Sequence, residues 1–117
     1  MTYKDLYNKF KYAFRGIITA FTTDNSFKFH LIAALVVMIM AILLHFTIIE
    51  WIIALFSIAF VIVAEMFNTA IEYLVRLITD TYHEEAEKLL DISAGAVLLA
   101  SITSIVGGVL ILLRRII

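Results

Sequence analysis

The segment Ile48 to Val75, IIEWIIALFSIAFVIVAEMFNTAIEYLV, decides the fold. A membrane-spanning helix takes about 20 mostly apolar residues. This run exceeds that length, yet it carries Glu50, Glu65 and Glu72. Glu65, Asn68 and Glu72 are offset by 0, +3 and +7 residues, which on a helix confines them to about 60° of arc. A carboxylate near the bilayer centre costs a few kcal/mol even on the mild insertion scale of about 2.5–3.5 kcal/mol. Two carboxylates and an amide on one stripe therefore mark a polar site facing a bundle interior or a wet cavity. The alternative is a set of neutral, hydrogen-bonded groups with a purely structural role, Glu72 being neutralised by Arg76 one turn on.

Two more stretches flank this one. Residues from about Phe29 to Phe46 carry no Asp, Glu, Lys or Arg, and those from Ile92 to Leu113 are free of charge. Backbone groups in lipid must be satisfied within the segment, so three spanning helices are expected, over about 29–46, 48–75 and 92–113. Alternating strands of barrel length are absent from the sequence. Ala96, Ala100, Ser104 and Gly108 recur every fourth residue of the third span, a small-residue stripe that lets helices approach closely.

Residues 1–22 differ. Tyr3, Leu6, Tyr7, Phe10, Ala13, Phe14, Ile17 and Phe21 recur at helical spacing, with Lys4, Lys9, Lys11 and Arg15 between them. This is an amphipathic helix with a basic side, suited to the membrane interface. Its apolar side could equally pack on the other helices. Residues 77–90 read as an acidic cytoplasmic loop, in which Asp80 or Thr81 is placed to cap a short surface helix through Leu90.

The composition agrees. Of 117 residues, 63% are hydrophobic and 16% charged, against about 45–50% and about 25% in soluble domains. Disorder is excluded by the same excess. Cysteine and proline are both missing, which removes thiolate chemistry and favours long uninterrupted helices. No Lys/Arg cluster suggests nucleic acid. Lys and Arg set the orientation: Lys4, Lys9, Lys11, Arg15 and Lys28 precede the first span, the first loop has none, and Arg76 and Lys88 lie by the second. The N-terminus is expected in the cytoplasm. Arg114 and Arg115 dissent, since three spans put them outside. No GxxxxGK[ST], GxGxxG or HExxH occurs.

The segment Ala64-Glu65-Met66-Phe67-Asn68-Thr69-Ala70-Ile71-Glu72 resembles the ExxNxAxE signature of the bacterial integral-membrane diacylglycerol kinase family. Tyr82-His83 and Asp91-Ile92-Ser93-Ala94-Gly95-Ala96-Val97 extend the resemblance over nearly the whole chain. Phe27-Lys28-Phe29-His30-Leu31 looks more like the undecaprenol kinase branch than the proteobacterial one. The resemblance implies a homotrimeric lipid kinase of the bacterial cytoplasmic membrane, using ATP and Mg²⁺ to phosphorylate a lipid alcohol, undecaprenol favoured over diacylglycerol. It implies Glu65 as general base and Asn68 as its positioning partner. Glu72 and Asp24 would hold metal, and Tyr12, Glu72 and Asp91 would lie by the nucleotide. His30 stands where the proteobacterial branch has Glu, so no ligand role is carried to it. The family usually has Asp at the position of Arg76 and Lys at that of Leu90. Arg76 and Lys88 would then be the cations near phosphate. The same departures leave open a weakened family member that binds lipid or nucleotide. A small proton-path or transport subunit is the third reading.

Overall fold

The computed structural model describes residues 2–117, and its four elements are all α-helices: α1 Tyr3–Thr23, α2 Asn25–Leu43, α3 Ile48–Ile78 and α4 Glu84–Ile116. The helices α2, α3 and α4 are each long and apolar enough to cross a membrane. Most of their large apolar side chains face outward. That arrangement is stable in hydrocarbon and untenable in water.

Helix α1 begins with a capping box, in which the Thr2 hydroxyl accepts from the Asp5 N–H and Asp5 accepts from the Thr2 N–H. Only Ala20 of α1 is buried, and Tyr3, Tyr7, Phe10 and Phe14 are all exposed. The apolar stripe is therefore not used up within the chain and is left for the bilayer interface. Asp24 alone separates α1 from α2, with an extended backbone that turns the corner. Phe21 and Phe27 meet across that corner, ring centroids 5.0 Å apart. Phe27 is fully buried and pins the surface helix to the bundle.

At the far end, α2 turns into α3 through residues 44–47. Phe46 N–H donates to the Ala41 carbonyl and His45 N–H to that of Ile42, a Schellman arrangement that normally places glycine at the left-handed residue. His45 occupies it, with φ 54°. His45→Gly removes the side-chain strain of the left-handed conformation, about 1–2 kcal/mol, and returns roughly half of it as unfolded-chain entropy. We expect a slightly raised thermal midpoint in detergent; a marked fall would show that the imidazole itself is needed.

The terminal arginines that dissent from the charge pattern have a local reason. Arg115 donates to the carbonyls of Leu44 (2.7 Å) and His45 (2.9 Å) and to Glu50 (Nε–Oε2 3.0 Å). It also lies over the Phe46 ring at 5.1 Å. It ties the end of α4 to the α2–α3 turn, so its placement follows from a structural bond.

Two boundaries differ from expectation. The acidic segment expected as a loop over 77–90 is mostly helix: α3 continues to Ile78, and α4 starts at Glu84, seven residues before Asp91. The cap is His83, whose Nδ1 accepts from the Glu85 N–H at 3.2 Å, and not Asp80 or Thr81. Glu84, Glu85 and Glu87 sit in the first turn of α4, where the helix dipole favours negative charge. This extension makes α4 a long helix in place of a short surface helix followed by a span.

Helices α3 and α4 share the largest interface. The small stripe of α4 makes part of it: Ala100 is buried, and the Ser104 hydroxyl donates to the Ser57 carbonyl at 3.3 Å.

Candidate functional site

The polar face of α3 lies at the end of the bundle where α1 meets α2. Glu65 is 3% exposed, and Thr69, one turn further along, is also buried. The Thr69 hydroxyl donates to Asp24 Oδ2 at 2.9 Å, which brings the α1–α2 corner onto this face. The Glu65 carboxyl group lies within hydrogen-bonding reach of the same Asp24. On its other side, Glu65 Oε2 is 3.4 Å from His30 Nε2 of α2. One carboxylate thus meets groups from the corner and from α2.

A second chain of bonds starts one turn along. The Ser93 hydroxyl of α4 donates to Asn68 Oδ1 at 2.7 Å, and Asn68 Nδ2 donates to Glu72 Oε1 at 2.6 Å. The amide is held at both ends, and it aims the Glu72 carboxylate. Its side-chain oxygen accepts while its nitrogen donates, a pairing that a carboxylate at this position could not make.

The alternative in which Arg76 neutralises Glu72 is not what forms. Arg76 stacks on the Tyr73 ring at 4.5 Å, and its Nε points to the Glu72 backbone carbonyl at 3.4 Å. No Arg76–carboxylate ion pair exists among the described residues. The guanidinium is left at the exposed end of α3, one turn beyond Glu72. Lys88 is exposed and pairs with Glu85 at 3.4 Å. Asp91 is exposed near the start of α4. Tyr12 is exposed on α1, with Arg15 over its ring at 5.1 Å. Asp24 and Glu65 thus lie in one group with Thr69 and His30, and Asn68 and Glu72 in a second with Ser93; Arg76 reaches the second only through the Glu72 backbone carbonyl, and among the described residues Tyr12, Lys88 and Asp91 are joined to neither by a hydrogen bond or ion pair.

Three members were not singled out from the sequence. Thr69 had a legible signal, since an offset of +4 from Glu65 keeps it on the same face. Ser93 was visible only as part of the segment that opens the third span. His30 had none, because its partner is 35 residues away in sequence.

Asp24 caps α2, accepting from the Ser26 N–H at 2.9 Å. Partial burial pushes its carboxyl group up, but the bonds from Ser26, Thr69 and Glu65 together outweigh that and hold it below the usual range. A lowered folded-state value means that stability is present above the ordinary Asp range, about 3.9, and is lost as pH falls through the lowered value. Asp24→Asn keeps a capping side chain and removes the charge. The melting-temperature gap between wild type and Asp24→Asn is expected to be widest near neutral pH and to close in acid. A gap unchanged by pH would remove the charge from the explanation.

Comparison with known proteins places the chain in a family. The model of the prokaryotic diacylglycerol kinase family covers residues 11–112. The undecaprenol kinase of Bacillus subtilis (strain 168) is 39% identical over 109 residues, 93% of this chain and 89% of that protein. A diacylglycerol kinase of Synechocystis is 40% identical over 105 residues, 88% of this chain and 60% of its own. The diacylglycerol kinase of Escherichia coli (strain K12) is 28% identical over 95 residues, 81% of this chain and 78% of that protein. The chain therefore belongs to the prokaryotic diacylglycerol kinase family, as a membrane enzyme that phosphorylates a lipid alcohol.

Proposed function

We propose that the chain transfers the γ-phosphoryl group of ATP to the hydroxyl of undecaprenol or a similar long prenol, on the cytoplasmic side of a bacterial inner membrane. The observation that carries this reading is the placement of Glu65. It is nearly inaccessible, beside Asp24 and His30, at the end of the bundle where polar residues replace apolar ones. A hydroxyl on a lipid reaches such a carboxylate from the bilayer without bringing water along. The preference for a prenol over a diacylglycerol is supported by the coverage of the Bacillus relative, 89% of its length against 60% for the Synechocystis diacylglycerol kinase.

In this reading Glu65 takes the proton as the lipid oxygen attacks the γ-phosphorus. The bond to the bridging oxygen breaks and ADP leaves. Such chemistry relies on positioning and charge stabilisation more than on covalent steps. Asn68 holds Glu72 toward the phosphates. Tyr12 and Asp91 flank the nucleotide. Arg76, free of carboxylate partners, and Lys88 face the phosphate charge. Glu72 and Asp24 supply the hard oxygens that suit Mg²⁺, which is held by one or two carboxylates plus substrate phosphates. No cluster of three ligating side chains occurs among the described residues, which fits a cation brought in with the nucleotide. Bound there, the cation would offset charge on the phosphates. The outward faces of the spans are the surfaces for a homotrimer.

The test is direct. Purified protein in lipid or detergent is given labelled ATP, Mg²⁺ and a series of lipid alcohols. Phosphorylated prenol in excess of phosphatidate supports the reading. Nucleotide binding without turnover would favour a non-catalytic descendant, and ion flux in liposomes without nucleotide would favour a proton path. The role given to Arg76 has its own check. Arg76→Asp with Leu90→Lys restores the usual family pattern; if Arg76 already meets phosphate, activity stays level or falls. A large gain would remove Arg76 from the phosphate site.

A further inference from the structure

Behind the polar cluster lies a cavity of about 340 Å³ between α2, α3 and α4. His30 is at one end of its lining, and Ala34, Ile58, Ser104 and Gly108 follow toward the opposite side of the membrane. From His30 to Met40, both in the lining, α2 rises about 15 Å. The wall is mostly apolar: beyond His30 its polar side chains are Ser57, Ser101 and Ser104, and the Ser104 hydroxyl is already engaged with the Ser57 carbonyl. Glycine at position 108 leaves open space where a side chain would begin, with no atom within 4 Å of an added Cβ.

We infer that this cavity receives the hydrocarbon tail of the lipid alcohol as a single extended chain, seating the hydroxyl at the His30–Glu65 pair. The inference rests on the lipid kinase reading and deepens it. Its basis is continuity. His30 lines the cavity and also stands 3.4 Å from Glu65, so the slot ends at the side chain that meets the one buried carboxylate of the chain's described residues. A chain entering from lipid gains little from leaving an equally apolar surrounding. The slot therefore contributes register more than affinity. Its shape sets how far the hydroxyl projects, and a tail that cannot extend past Gly108 holds its hydroxyl out of line. One slot takes one tail, which separates a prenol from a lipid with two acyl chains.

Gly108→Phe fills the far half of the slot and leaves the His30 end untouched. The space around position 108 and the better helix propensity of Phe over Gly both favour an intact fold. Wild type and variant are compared on a short prenol (geraniol) and a long one (solanesol), with oligomeric state measured beside them. The expected result is a loss of about tenfold or more in kcat/KM for the long alcohol, with the short one held within about twofold. Equal loss on both would overturn the inference. So would equal loss accompanied by a broken oligomer, because the slot would then be a seat for a helix of a second copy. A second measurement is independent of turnover. A long prenol carrying a photoreactive group at its tail should label α4 around position 108 in the wild type and not in Gly108→Phe. Labelling without phosphorylation of any alcohol would sink the kinase reading and keep the slot; phosphorylation with no labelling and no chain-length effect would do the reverse.

Discussion

Glu65→Gln is expected to remove phosphoryl transfer while the protein folds, inserts and assembles as before. Gln matches Glu in size and keeps a polar group beside Asp24 and His30, so packing around this nearly inaccessible position is preserved. What is lost is the ability to take a proton. A general base contributes about 10²–10⁴-fold to rate, and a fall of that order in kcat is the expected outcome. KM for ATP should change little, because Glu72 and not Glu65 is aimed by Asn68. Transfer of labelled phosphate, with thermal unfolding and size-exclusion profiles as controls, reads all three. Wild-type turnover in the Gln protein would take Glu65 out of the base role. A misfolded variant would move the question to Asp24, whose loss should then cost activity through Glu65.

The second large effect is on stability. Arg115→Ala should lower the thermal midpoint substantially and leave kcat nearly unchanged. The side chain closes the end of the bundle remote from the site, reaching two backbone carbonyls of the α2–α3 turn and Glu50. Charge-assisted hydrogen bonds to the carbonyls are worth about 1.5–3 kcal/mol each before solvent takes over part of the loss, so a net cost of about 2 kcal/mol is expected from those two bonds alone. Glu50 retains its capping bonds with Thr47 (2.9 and 3.2 Å), which limits the damage to α3. Arg115→Lys should recover only part of the stability, since an ammonium cannot hold two carbonyls and a carboxylate in one plane. Lost turnover at retained stability would mean that the two ends of the bundle communicate.

The existence of three spans was legible because hydrocarbon permits few alternatives. Length and apolar content alone select helices, and the observed α2, α3 and α4 contain most of the expected spans. The grouping of Glu65, Asn68 and Glu72 was equally legible, since helical periodicity decides which side chains share a face. Boundaries in the acidic segment were not. Glu84 to Leu90 read as a short surface helix within a loop and separate from the third span, yet they are continuous with α4, because nothing there breaks a helix and His83 caps it.

The sequence by itself determined the solvent, the number of crossings and the polar stripe of α3, because each follows from a local pattern of side chains along one helix. Only the tertiary structure decided what that stripe touches. Asp24, His30 and Ser93 come from the α1–α2 corner, α2 and α4, and their bonds to Thr69, Glu65 and Asn68 depend on how whole helices lean together. The same holds for Arg115, whose charge ran against the pattern of its neighbours until the turn it binds was brought beside it. Periodicity constrains one helix at a time, whereas packing of side chains across helices sets which faces meet.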